Sequence, residues 1–246
     1  MQSAESAMKR RFTGQTDPGL VRSVNQDHYS IDPDGRFFIV ADGMGGHAGG
    51  EEASKIATEV ITASLDKSWE SKFSSSELLL DALYDANEAI LIDQQSHPER
   101  ADMGTTVVVV LFRQGKSWCG HIGDSRLYRL RNSRLEQITE DDTWVARALK
   151  AGDITPDQAR NHPWRHVLSQ CLGRKDLQEV AVQPLDVQKG DVLLLCSDGL
   201  TEELSDEEIY PLLQDRKTCK EAALSLIDAA KENGGSDNIT VVIVEE

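Results

Sequence analysis

Four short segments set aspartate where it could do chemistry: Asp42-Gly43-Met44-Gly45-Gly46-His47, Gly123-Asp124-Ser125-Arg126, Ser197-Asp198-Gly199 and Gly234-Gly235-Ser236-Asp237-Asn238. They lie close to apolar runs of strand type, so the carboxylates are expected to project from strand ends. A lone Asp-Gly is an ordinary turn signal. Four such segments beside strong apolar runs are harder to account for as turns, and gathered in one place the acids would repel one another unless a positive charge neutralised them. Magnesium and manganese take oxygen ligands and keep several waters when few protein ligands are offered. The pattern therefore points to a metal site.

If Asp42, Asp198 and Asp237 meet, two cations sharing a carboxylate would lower the pKa of a bridging water and make hydroxide available near neutral pH. The matching substrate is an oxyanion ester. Arg22, ahead of Asn25-Gln26-Asp27, offers a planar fork suited to two phosphate oxygens. His47, five residues after Asp42 in a glycine-rich turn, is placed to protonate a departing alkoxide. In isolation Arg22 would read as a surface ion pair and His47 as a packing residue; the acid-bearing surroundings favour the chemical roles. His28, His97 and His121 have no comparable context.

These groups need rigid elements to position them. Residues 37–40, 105–111, 192–195 and 239–244 are short β-branched or aliphatic runs bounded by glycine, aspartate or asparagine, and read as buried strands. Weaker strands are expected at 29–31, 117–122, 125–131 and 180–184. Between residues 51 and 65, Ala53, Ile56, Ala57, Val60, Ile61 and Leu65 share one helical stripe; after Ser76 the positions Leu79, Leu80, Leu83, Ala86 and Ile90 repeat it. A third helix is expected over about 219–231, ending before Gly234-Gly235. Strands in two clusters with paired helices between them indicate an α+β layered domain with antiparallel sheets. Residues 144–174, polar and carrying two Trp and two His, read as an insertion beside a site, with helical pieces near 145–150 and 156–160.

The 246 residues form one domain on this reading, because no cut between Asp42 and Asp237 leaves the acid cluster whole. Residues 1–11 read as a flexible extension and 12–246 as the domain. A formal charge of -16 disfavours nucleic acid and anionic membranes as partners. The longest purely apolar run, 107–112, is far short of the roughly 20 residues of a spanning helix, and Met8-Lys9-Arg10-Arg11 is not followed by the apolar centre of a signal peptide. Cys119, Cys171, Cys196 and Cys219 lack C-x-x-C spacing and read as buried thiols, consistent with the reducing cytoplasm. No oligomerisation signal stands out, so a monomer is expected.

In order along the chain, Gly19-Leu20-Val21-Arg22-Ser23-Val24-Asn25-Gln26-Asp27, Val40-Ala41-Asp42-Gly43-Met44-Gly45-Gly46-His47, Met103-Gly104-Thr105-Thr106, Ile122-Gly123-Asp124-Ser125-Arg126, Cys196-Ser197-Asp198-Gly199-Leu200 and Ser236-Asp237-Asn238-Ile239-Thr240 resemble the motifs of the metal-dependent phosphatases of the protein phosphatase 2C type, the PPM family. The segment His162-Pro163-Trp164-Arg165-His166-Val167-Leu168-Ser169-Gln170-Cys171-Leu172-Gly173-Arg174 and the compact length make the chain similar to small cyanobacterial members. Some of those act on the phosphorylated signalling protein PII, which becomes a candidate substrate. The resemblance implies a four-layer αββα sandwich, two central antiparallel β-sheets flanked by helix pairs, that hydrolyses phosphoserine and phosphothreonine. It implies Mg2+ or Mn2+ as cofactor. Asp42 with the Gly43 carbonyl would bridge two central ions, Asp198 and Asp237 would complete one of them, and Asp124 would help hold a weaker third. Arg22 would grip phosphate, His47 would act as general acid, and Asp27 would act through waters. Residues 144–174 correspond to the family's flap.

Two departures stand out. Gln26 occupies a position that is Glu in many members, and Asp141-Asp142-Thr143 replaces Asp-His-Ser or Asp-His-Thr. Two rival readings follow: a non-catalytic metal-containing module that binds phosphoproteins, and a metal-dependent phosphodiesterase or nuclease, which the acidic balance disfavours.

Overall fold

In the computed structural model, described for residues 10–46, 49–160, 162–177 and 180–246, eleven strands form two antiparallel sheets. The first sheet runs β1 (Arg11–Asp17), β11 (Ile239–Glu245), β10 (Val192–Cys196), β7 (Arg126–Arg131), β8 (Arg134–Gln137). The second runs β2 (Asp27–Ile31), β3 (Phe37–Met44), β5 (Val107–Arg113), β6 (Lys116–Ile122), β9 (Ala181–Leu185), with the short β4 (Gly104–Thr105) paired to the end of β3.

The uninterrupted apolar runs have a simple cause: both faces of each central strand are covered. In β3, Phe38 and Val40 face the opposite sheet and meet Leu193, Leu195, Val242 and Val244, whereas Phe37, Ile39 and Ala41 face the helices. There they pack on α1 (Gly49–Ser68) and α2 (Ser75–Ser96) through Ala53, Ala57, Ile61, Leu79 and Leu83. The first sheet repeats the arrangement: Tyr128, Leu194, Val241 and Ile243 pack on α6 (Asp206–Gln214) and α7 (Cys219–Asn233). The result is the expected four-layer αββα sandwich.

Several local expectations shift. The strand expected over 105–111 is two strands, because Thr106 breaks away to donate its N–H to the Asp42 carbonyl at 2.8 Å. Helix α2 begins at Ser75 and is capped by Ser74, in a reciprocal capping box with Glu77. Of the flexible extension over residues 1–11, residues 1–9 lie outside the described residues, while Arg10 and Arg11 are held in place. Arg11 opens β1, and Arg10 pairs with Glu246 at 2.6 Å while stacking over Phe112.

The insertion is a closed excursion. It carries α3 (Trp144–Ala151), capped by the Thr143 hydroxyl and ended by Gly152 in the left-handed region, and α4 (Pro156–Arg160). Trp144, His162 and Trp164 form a small aromatic core for it, with Trp144 stacked on His162 at 4.7 Å between centroids. Its base is fastened by backbone bonds between Trp144 and Val167, Asp142 and Ser169, and Thr105 and Leu172, and by the Asn87 side-chain Oδ1, which accepts from the Gly173 and Arg174 N–H groups. All four cysteines are buried and unpaired, and among the described residues no helix is long and apolar enough to cross a membrane.

Candidate active site

The acids converge at one end of the two sheets because the ends of β2, β3, β6, β7, β10 and β11 meet there. Asp27 opens β2 and stands opposite Asp42 in the β2–β3 register. Asp124 sits in the turn between β6 and β7, Asp198 follows β10, and Asp237 precedes β11. Asp42 is fixed through its backbone: its N–H donates to the Thr106 hydroxyl at 3.1 Å, and its carbonyl accepts from the Thr105 hydroxyl at 2.8 Å. The Thr106 and Ser125 hydroxyls are 2.6 Å apart and buried, tying β5 to the Asp124 turn. The Asp42 and Asp198 carboxyls are close enough to share a proton.

Burial is the main cause of the site's electrostatics. It pushes Asp27 up to about 7, with the charges of Asp198 and Asp237 adding to the rise and the nearby Ser197 and Thr240 hydroxyls pulling it down. Burial, then the charges of Asp27, Asp198 and Asp124, raises Asp42 well above the carboxylate range. Asp124 is raised by burial and by Asp198 and Asp141. Burial raises Asp198 too, opposed by the proton shared with Asp42.

Charge compensation from the protein is thin. Arg126 is committed to Asp141 by bonds of 2.7 to 3.1 Å. Arg22 gives one N–H to Asp237 at 2.6 Å. Oδ1 of Asp27 is buried with no partner among the described residues, while its Oδ2 accepts from Ser197 at 2.7 Å. Crowded acids, an orphaned carboxylate oxygen and an all-oxygen donor set are what hard divalent cations require. The residues present therefore fit such ions.

The expected site residues Asp27, Asp42, Gly43, Asp124, Asp198 and Asp237 come together, and Arg22 reaches the same opening: Arg22, Asp42, Gly43, Asp124, Asp198 and Asp237 all line one cavity of about 360 Å³. His47 lies outside the described residues. Sequence reasoning missed Asn238, whose side chain staples the Arg22 loop. Its Nδ2 donates to the Pro18 and Val24 carbonyls at 3.0 Å, and its Oδ1 accepts the Gln26 N–H at 2.8 Å. The Asp-Asn pair beside β11 was visible, but the partners of Asn238 lie more than 200 residues away.

The departure at Asp141-Asp142-Thr143 has a structural account. Asp141 holds Arg126, Thr143 caps α3, and the Asp142 carboxylate accepts the Gly123 N–H at 3.1 Å, so the acid pins the Asp124 turn to the insertion. A second cavity of about 690 Å³ lies beside the first and shares Asp124, His166 and Asp198 with it. Val145, Leu149 and Ala159 of the insertion line one side, with Glu202 and Glu203 also on its wall.

A pH dependence follows. An acid whose folded pKa exceeds its ordinary value binds more protons folded than unfolded, so stability falls as pH rises through the folded value. Asp27, and Glu202, which burial and the charge of Asp198 push up to about 7, titrate in this sense. The half-buried His28 and the buried His121 act oppositely, but only below their ordinary value of 6.5. In chelator, the melting temperature is expected to fall by several degrees between pH 6.5 and 8, and added Mg2+ or Mn2+ should flatten the slope. Scanning fluorimetry checks this; a rising melting temperature in chelator would contradict it.

The sequence profile described as protein phosphatase 2C matches residues 21–225. The serine/threonine protein phosphatase PstP of Mycobacterium tuberculosis is 40% identical over 238 residues, covering 96% of this chain and 45% of the relative, so the chain spans about half the length of that protein. The serine/threonine phosphatase stp of Listeria monocytogenes is 35% identical over 245 residues, 94% of each. Among solved structures, the catalytic domain of PstP in complex with two manganese ions superposes with a TM-score of 0.85 at 36% identity, covering 96% of this chain and 97% of that one.

Proposed function

We propose that this chain, which belongs to the protein phosphatase 2C family, is a metal-dependent phosphatase that hydrolyses phosphoserine and phosphothreonine in proteins. The observation that carries the reading is the convergence of Asp42, Asp124, Asp198 and Asp237 from four separate strand ends onto one cavity with Arg22 at its edge. Its relative PstP has been crystallised with two manganese ions, and the acids here suit Mn2+ or Mg2+.

Asp42 with the Gly43 carbonyl, Asp198 and Asp237 would hold two central ions, and Asp124 would contribute to a weaker third. Bound ions would supply a water of lowered pKa and positive charge against the phosphoryl oxygens. Asp27, hydrogen-bonded to Ser197, would reach the ions through waters and keep that floor acidic. Arg22 engages Asp237 through one N–H, and the rest of its guanidinium fork is available to grip and orient the phosphoryl group. Asn238 holds the Arg22 loop at the right height for this. His47 is assigned the general acid for the leaving alkoxide on its place in the motif alone.

The larger cavity accommodates the polypeptide on one side of the phosphoresidue. Phosphorylated PII remains the named candidate substrate, supported by the flap sequence from His162 to Arg174. The non-catalytic binding module is the second reading, and the complete acid set weighs against it.

Phosphate release from phosphoserine and phosphothreonine peptides, beside a phosphodiester control, tests the reaction class. Monoester cleavage with no diester cleavage is expected; the reverse would overturn it. Arg22→Ala should lower kcat/KM on the peptides by about 10²-fold, through loss of a charge-assisted bidentate contact worth roughly 3 kcal/mol. Unchanged kcat/KM would remove Arg22 from phosphate binding.

A further inference from the structure

Beyond the central ions, we propose a distinct cation site that ties the insertion to the catalytic floor, formed by His166 from the insertion with Asp198 and Glu202, and suited to a transition ion such as Zn2+. One ligand atom from each of the three residues lies within 4.8 Å of the other two. The proposal rests on the reading above only in that Asp198 is common to both groups.

Local structure makes the donor set. Asp198 opens the short helix α5 (Asp198–Thr201), and the Glu202 N–H donates to the Asp198 carbonyl at 2.8 Å. The two acids are thus four residues apart on a helical turn and lie on one face. His166 comes from the other side, near the base of the insertion, where the Thr143–Leu168 bridge and the Trp144–Val167 backbone bond fix its height. Its Nδ1 contacts Glu202 Oε1 directly. His166 and Asp198 stand where the two cavities adjoin, so an ion from solvent can reach them.

The chemistry selects the ion. Magnesium favours oxygen donors and near-ideal octahedral geometry, whereas an imidazole nitrogen with two carboxylates suits Zn2+ and the later first-row ions, with water completing the shell. The other histidine of the insertion, His162, is occupied in the Trp144–Trp164 stack and accepts the Trp164 N–H. An ion here would hold the insertion down over the larger cavity, coupling access of the substrate polypeptide to transition-metal supply.

The test counts ions and follows the insertion rather than turnover. Metal-free wild type, His166→Ala, Glu202→Gln and Asp42→Asn are titrated calorimetrically with Zn2+ and with Mn2+ near pH 7.5, and each is digested with trypsin, which can cut at Arg147, Lys150 and Arg165. Wild type should bind one Zn2+ more than His166→Ala or Glu202→Gln. Zn2+ should slow cleavage within the insertion several-fold in wild type, Mg2+ should not, and both variants should lose the protection. Equal ion counts and equal protection in wild type and both variants would overturn the site. Failure of the central reading shows separately, as an ion count that Asp42→Asn leaves unchanged.

Discussion

Asp42→Asn should abolish phosphate release, by on the order of 10³-fold or more in kcat, because it removes a charge expected to serve both central ions and several kcal/mol of transition-state stabilisation depend on them. The same substitution should raise the melting temperature of the metal-free protein near pH 8. Asp42 stands half-buried beside Asp27, Asp124 and Asp198, whose charges oppose its ionisation. A neutral isostere relieves that repulsion and keeps the shape. Activity and stability therefore move in opposite directions, which distinguishes loss of a functional charge from simple unfolding. Substantial turnover in the variant at saturating Mn2+ would contradict the assignment.

Gly43→Ala should destabilise the protein by about 3 kcal/mol or more, lowering the melting temperature by roughly 6 to 12 °C. A Cβ at position 43 would stand 1.9 Å from the Gly50 carbonyl oxygen and 2.7 Å from the Gln26 carbonyl oxygen. Both obstacles are backbone: Gly50 lies in the first turn of α1 and Gln26 immediately precedes β2, so neither can rotate away. The end of β3 must shift instead, taking Asp42 with it. Gly46→Ala, three residues along the same loop, meets nothing within 4 Å and should change stability by less than about 1 kcal/mol. Parallel thermal melts would expose an error in this packing argument if the two alanines behaved alike.

The strands that position the acids were legible for the same reason that they are stable. β3, β5, β10 and β11 are covered on both faces, so their sequences are apolar without alternation, and the apolar runs of β3, β10 and β11 stop abruptly at Asp42, Ser197 and Asn238. β1 gave no such signal. Its Arg-Phe-Thr-Gly-Gln-Thr-Asp sequence belongs to a partly exposed edge strand, held by backbone pairing with β11 from the far end of the chain. β8 is only four residues long, α5 likewise, and α6 carries Pro211 inside it. Short elements and an internal proline blur the periodicities that sequence reading relies on.

At the site, the aspartates could be read because each sits in its own motif at a strand end. What holds them could not. The Thr106–Ser125 hydroxyl pair, the Asn238 staple and the Asp142 tie to Gly123 are side-chain bonds between segments remote in sequence, and no local pattern announces them. His166 and Glu202, 36 residues apart, are of the same kind: each looks like an ordinary surface residue until the insertion folds back onto α5.

The most direct measurement of the central claim is a titration of Mn2+ into metal-free protein, with bound metal and phosphate release from a phosphothreonine peptide followed on the same samples. Release should be absent in chelator, rise as the central ions bind, and vanish in Asp42→Asn. Undiminished release after complete removal of metal, or full occupancy with no release, would contradict it, the second outcome favouring a phosphoprotein-binding module.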